Sequence, residues 1–91
     1  MQTLHWSDEA TTDLVEIISY VEQRNAAAAH GLLSTIVQSA QNLPFMPFLF
    51  RPGRVAGTRE HVVHPNYIVV YQVGDDVIEI LRILHSRQQY P

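Results

Sequence analysis

The side chains able to hold a phosphate or move a proton are concentrated in the last third of the chain. Arg59 and His61 stand two apart, a spacing that sends both side chains out of one face of a strand. His85, Arg87 and Tyr90 follow close together further on. A guanidinium at such a site can steady charge on an oxyanion, and a histidine or tyrosine can pass a proton. Plainer readings stand beside these. Tyr90, next to Pro91, reads as a frayed end. Arg82 reads as a surface partner of Glu60 or Glu79. Tyr67 and Tyr71 share a strand face with Val69 and Val73 and read as core. His61 and His64, three apart on a strand, are expected on opposite faces. His5, His61, His64 and His85 show no metal-ligand spacing, so neither a metal nor a cofactor is expected.

Charge narrows the partners. All six basic residues are arginine, the side chain that grips carboxylate or phosphate with a planar fork. Residues 1–50 carry one arginine against five carboxylates, whereas residues 51–91 carry five against four. At a net charge of −3 the chain lacks the basic excess of a general nucleic-acid binder. Any such contact would be local and made by the later arginines.

Ninety-one residues are enough for one domain spanning 1–91, and 46% apolar residues exclude a disordered chain. With no cysteine there is no disulfide framework and no thiolate metal site. No signal-peptide pattern and no apolar run of membrane-spanning length is visible, so a soluble protein of the cytoplasm is expected.

The elements that must position these side chains follow from periodicity. Gln2–Trp6 alternates as a short strand. Ser7 can cap a helix whose apolar stripe is Ala10, Leu14, Ile17, Ile18 and Val21. Asn25 can cap a second helix, with Ala29, Leu32, Leu33, Ile36, Val37, Ala40 and Leu43 on one side. The pair should form an antiparallel hairpin. Pro44 to Gly53 is expected to be irregular. Its Phe45, Met46, Phe48, Leu49 and Phe50, set among three prolines, read first as a loop tucked over one end of the core, with an exposed docking patch as the alternative. A period of two then marks strands at Arg59–Val63, Tyr67–Val73 and Val77–Leu84, with turns at His64–Asn66 and Gly74–Asp76. The fold class is α+β: a strand, a helix hairpin and an antiparallel three-strand meander in one sheet.

That order, with an Arg/His-rich tail, resembles the RelE/ParE superfamily of toxins from type II toxin–antitoxin systems. Trp6-Ser7 through Asp13-Leu14, Ile17 and Tyr20-Val21 is similar to the family's opening. Arg51-Pro52-Gly53-Arg54 with Gly57-Thr58-Arg59-Glu60, Tyr67–Val73, and Ile80–His85 resemble its later stretches. The likeness covers nearly the whole chain.

The resemblance implies a toxin that arrests growth and is silenced by a cognate antitoxin. RelE-like members cleave messenger RNA on the ribosome, and ParE-like members poison DNA gyrase without chemistry of their own. Metal-free RNA cleavage would give Arg59, His61, Arg87 and Tyr90 the roles of cation, base and acid. Arg87-Gln88-Gln89-Tyr90 is similar to the tail of ribonucleases in the superfamily, and Arg59 and His61 fall roughly where RelE-like members have lysines. Two departures favour the gyrase reading. Ile68 stands where the ribonucleases have an arginine, and there is no lysine. Ribosome-dependent cleavage is the alternative, and a relative without toxic activity is a third reading. Contacts with target or antitoxin are expected at Phe45, Phe48, Phe50, Arg51, Arg54, Arg82 and His85, and in the hairpin groove. An acidic antitoxin segment could neutralise Arg51, Arg54 and Arg59.

Overall fold

A computed structural model describes residues Gln2–Pro91. In chain order the elements are β1 (Thr3–Trp6), α1 (Asp8–Glu22), α2 (Ala26–Asn42), a 3-10 turn (Leu43–Phe45), β2 (Arg51–Pro52), β3 (Arg59–His64), β4 (Tyr67–Val73) and β5 (Val77–His85). Both helix starts form as their caps dictate. Ser7 Oγ accepts from the Ala10 amide at 3.0 Å, and the Asn25 side chain accepts from the Ala28 amide at 3.0 Å. Arg24 closes α1 by donating to the Tyr20 carbonyl at 3.1 Å while its guanidinium lies 3.8 Å from the Tyr20 ring centre.

The meander forms as expected, but it is the centre of a larger sheet ordered β1-β5-β4-β3-β2. β1 joins the outer side of β5 in parallel, pairing Thr3 with Val77 and Trp6 with Ile80. β2 adds to the opposite edge, pairing Arg51 with Glu60 and Pro52 with Arg59. The stretch Pro44–Gly53, expected to be irregular, therefore contains part of a 3-10 turn and an edge strand. Proline suits an edge strand, because its missing N–H can face away from the ladder.

The two helices cover one face of the sheet. Ala10, Leu32, Ile36, Ala40 and Leu43 pack there on Tyr67, Val69, Tyr71, Ile78, Ile80 and Ile83, with Leu14, Ile17, Ile18 and Val21 half-buried alongside. Ile68, Val70 and Leu84 point to the other face and are buried as well. No helix among the described residues is long and apolar enough to cross a membrane.

Two bulges break the period-two expectation. Val70 faces Arg82 and Tyr71 faces Ile80, which leaves Leu81 as the extra residue in β5. Val62 faces Ile68 and His64 faces Tyr67, which leaves Val63 extra in β3. The second bulge puts His64 across from Tyr67, so strict alternation from His61 assigned it to the wrong face.

β1 stops at Trp6, so β5 beyond Ile80 has no strand on its outer side. Side chains take the place of that strand. The Ser7 hydroxyl donates to the Leu81 carbonyl at 2.9 Å, and the Asp13 carboxylate accepts from the Ile83 amide at 3.0 Å. The same carboxylate accepts from Arg82 Nε at 2.7 Å and Nη2 at 3.1 Å. Arg82 thus pairs with Asp13 on α1, not with Glu60 or Glu79. Asp13→Ala should lower unfolding free energy by about 2 kcal/mol, since it removes charge-assisted bonds and orphans an amide. Asp13→Asn, which keeps an acceptor for Ile83, should lose roughly half of that. Urea denaturation of the two variants measures both, and equal losses would show that the backbone bond contributes nothing.

Candidate functional site

The loop after α2 is held from beneath by three side chains of the sheet. The Tyr71 hydroxyl donates to the Pro47 carbonyl at 2.7 Å. Arg59 Nη1 donates to the carbonyls of Phe50 at 2.9 Å and Phe48 at 3.3 Å, and its guanidinium lies 4.9 Å from the Phe48 ring centre. The His61 ring stacks on Phe50 with centroids 3.6 Å apart. Only Phe50 is tucked in. Phe45, Phe48 and Leu49 are 67%, 65% and 69% exposed, and Met46 is exposed beside them. The loop is therefore an anchored base carrying an apolar crest, in place of the tucked loop that the sequence suggested first.

On the opposite face Glu60, only 3% exposed, is clamped by two arginines. Arg51 Nη2 donates to its Oε1 at 2.9 Å, and Arg54 Nε and backbone N–H donate to its Oε2 at 2.9 and 3.1 Å. Burial pushes the Glu60 carboxyl pKa up, but the bonds from Arg54 and Arg51 outweigh it and leave the group below its ordinary value. The turn that delivers Arg54 is tight. A Cβ on Gly53 would meet Thr58 Oγ1 at 2.1 Å, and Gly57 takes a φ of +83°.

A second cluster lies at the far end of β4. Tyr67 is flanked by His64, at 5.6 Å between ring centres, and by His85, at 5.5 Å. His64 Nδ1 accepts from the Asn66 amide at 3.0 Å, and His85 Nδ1 accepts from the Arg87 amide at 3.1 Å. In each neutral ring the proton is thereby left on Nε2. A cleft of about 570 Å³ opens beside them, lined in part by Asp13, Tyr20, Asn66, Arg82 and Gln88. Arg87 is exposed and its side chain makes no hydrogen bond or ion pair among the described residues. Tyr90 turns back to the β5 edge, where Arg82 lies 5.8 Å from its ring centre.

The structure brings Arg59 and His61 together under the loop. Arg87 and Tyr90 are elsewhere. Arg59 faces Tyr71 and His85 faces Tyr67, four residues apart along β4, or roughly 13 Å at strand rise. Phe45, Phe48 and Phe50 join Arg59 at the loop, Arg51 and Arg54 belong to the Glu60 clamp, and Arg82 and His85 border the cleft. Sequence reasoning did not single out Asp13, Glu60, His64 or Tyr67 for these roles. Only the pairing of His64 and Tyr67 across a two-residue turn was within reach of the sequence. Among the described residues no group of three or more histidines and carboxylates could hold a metal.

Glu60→Gln should cost about 3 kcal/mol in chemical denaturation, because it leaves two guanidinium groups without their buried charge. A loss under about 1 kcal/mol would place the clamp among surface ion pairs. Burial also pushes the His61 pKa down, so the fold favours the neutral ring. The stability this gives is complete above the unfolded value near ~6.5 and is lost as pH falls through the folded value. His61→Phe keeps a ring on Phe50 without the titration. Its melting temperature should fall less than that of the parent between pH 8 and 5.5, and an equal fall would remove His61 from the acid response.

Comparison with known proteins agrees with this architecture. The family described as ParE toxin of the type II toxin–antitoxin system parDE matches residues 4–90. The chain is 36% identical to the proposed toxin Y4kP of Sinorhizobium fredii, over 97% of this chain and 92% of that one. It is 33% identical to toxin RelE2 of Caulobacter vibrioides, over 94% and 97%. A chain of the chromosomal ParDE system from Pseudomonas aeruginosa superposes with a TM-score of 0.85 at 25% identity, covering 93% of this chain and 96% of that one. With the helix hairpin, the five-strand sheet and nearly the whole length in agreement, the chain belongs to the ParE toxin family of type II toxin–antitoxin systems.

Proposed function

We propose that this toxin arrests growth by binding and poisoning DNA gyrase, acting as a folded ligand and not as an enzyme, and that a cognate antitoxin silences it. The observation that carries this reading is how its arginines are used. Arg24 closes α1, Arg51 and Arg54 hold Glu60, Arg59 holds the loop, and Arg82 holds Asp13. Cations committed to internal partners are poor stabilisers of a scissile phosphate, since they would have to give up those bonds first. The separation of Arg59 and His61 from Arg87 and Tyr90 points the same way. Proton transfer needs its groups within hydrogen-bond reach of one reacting centre.

The alternative, messenger cleavage on the ribosome, is favoured by one specific feature. His64 and His85 flank Tyr67 with their Nδ1 atoms engaged by backbone, and Arg87, two residues after His85, has no side-chain partner among the described residues. A ribonuclease of this chain would work from that cluster and not from Arg59 and His61.

Purified protein is expected to block gyrase supercoiling and to leave cell-free translation intact. His85→Gln and Arg87→Gln should change gyrase inhibition by less than about tenfold. Intact supercoiling with cleaved messenger, and a loss of about a hundredfold or more in either variant, would establish the ribonuclease instead.

A further inference from the structure

We infer that the loop crest, Phe45, Met46, Phe48 and Leu49, is a pre-built docking platform for an acidic, apolar segment of the antitoxin. This deepens the reading above and rests on the part of it that gives the toxin an antitoxin.

The first ground is rigidity in an exposed apolar surface. A flexible loop with these residues would fold its rings inward. Here the prolines at 44 and 47 and the bonds from Tyr71 and Arg59 hold the backbone, while Phe45, Phe48 and Leu49 stay about two-thirds exposed. Ordering a loop on binding is costly, and this one is already ordered. Exposed apolar surface of this kind marks interfaces.

The second ground is charge, and it identifies the occupant. The stretch 45–64 carries three arginines and one carboxylate, whereas the rest of the chain carries three arginines and eight carboxylates. Where the loop runs into β2, on the other sheet face, two arginines on one buried glutamate leave one positive charge unneutralised, and Arg51 remains half exposed. Among the described residues Arg59 binds carbonyls and the Phe48 ring and no carboxylate, so it keeps its full charge. The apolar crest thus sits over Arg59, a cation with no carboxylate partner among the described residues of an acidic molecule. Carboxylates interleaved with apolar side chains complement it. A nucleic acid fits less well: the Arg59 guanidinium lies against Phe48, where a base would stack, and the net charge of the whole molecule repels phosphate.

The test measures affinity for the full-length cognate antitoxin by calorimetry, apart from any gyrase or translation assay. Phe45 and Leu49 anchor nothing, so Phe45→Ser with Leu49→Ser should leave the thermal melt unchanged and weaken binding by about thirtyfold or more. Phe45→Leu with Leu49→Met should retain affinity. Raising salt from low to high should weaken the parent complex. A change under about threefold in the serine variant would overturn the proposal. So would salt-independent binding, or loss of binding to a random single-stranded oligonucleotide with antitoxin affinity intact. Loop-dependent antitoxin binding by a protein that leaves gyrase untouched would sink the gyrase reading and leave the platform standing.

Discussion

Asp13 does for the outer edge of β5 what a further strand would otherwise do. An open edge is a liability, since its unpaired amides and carbonyls invite another chain. Here the first strand runs out at Trp6, the chain turns into α1 at Ser7, and the first turns of that helix supply the missing partners. The carboxylate that accepts from Ile83 also holds Arg82, the residue beside the bulge. Helix position, strand edge and bulge are therefore set by one side chain. With α1 fixed against β5, the short connection Gln23–Asn25 leaves α2 little choice but to return over β3 and β4.

The same economy governs the charges. The chain has few basic groups, and most are used as struts: one closes a helix, two hold a buried carboxylate, one supports a loop and one secures an edge. A buried carboxylate with two guanidinium partners contributes more to uniqueness of structure than to net stability. It fixes the β2–β3 turn, because Arg54 reaches Glu60 only if Gly53 approaches Thr58 as closely as it does. The apolar crest of the neighbouring loop takes its shape from Tyr71, Arg59 and His61 on the other sheet face. Because one fold can host different functions, such local differences in the use of side chains are what can separate one behaviour from another.

Much of the architecture was legible in the residues. The caps at Ser7 and Asn25, the two apolar stripes and the three long strands appear where periodicity put them, within a residue or so. What escaped was long-range or register-dependent. Nothing local in Thr3–Trp6 says that it will pair in parallel with residues more than seventy positions away. The bulges at Val63 and Leu81 reverse side-chain facing without any glycine to announce them, so the placement of His64 and the partner of Arg82 were misjudged. Ion-pair partners depend on which elements become neighbours, and a list of charges cannot supply that. The family resemblance carried the overall reading further than the spacing of the catalytic candidates did.

The pairing of β1 with β5 has a consequence in time. The bond from Ser7 to Leu81 joins residues 74 apart, and the Arg82–Asp13 pair spans 69. Contacts of such separation come late, because a long loop must close before any of them forms. As the chain leaves the ribosome, its helices can form early, but β1 has no partner until Val77–Ile80 has emerged. Until β5 has emerged, the edge that α1 secures is absent and the β1–β5 side of the sheet cannot close. The order of assembly is thus a delay built into the topology.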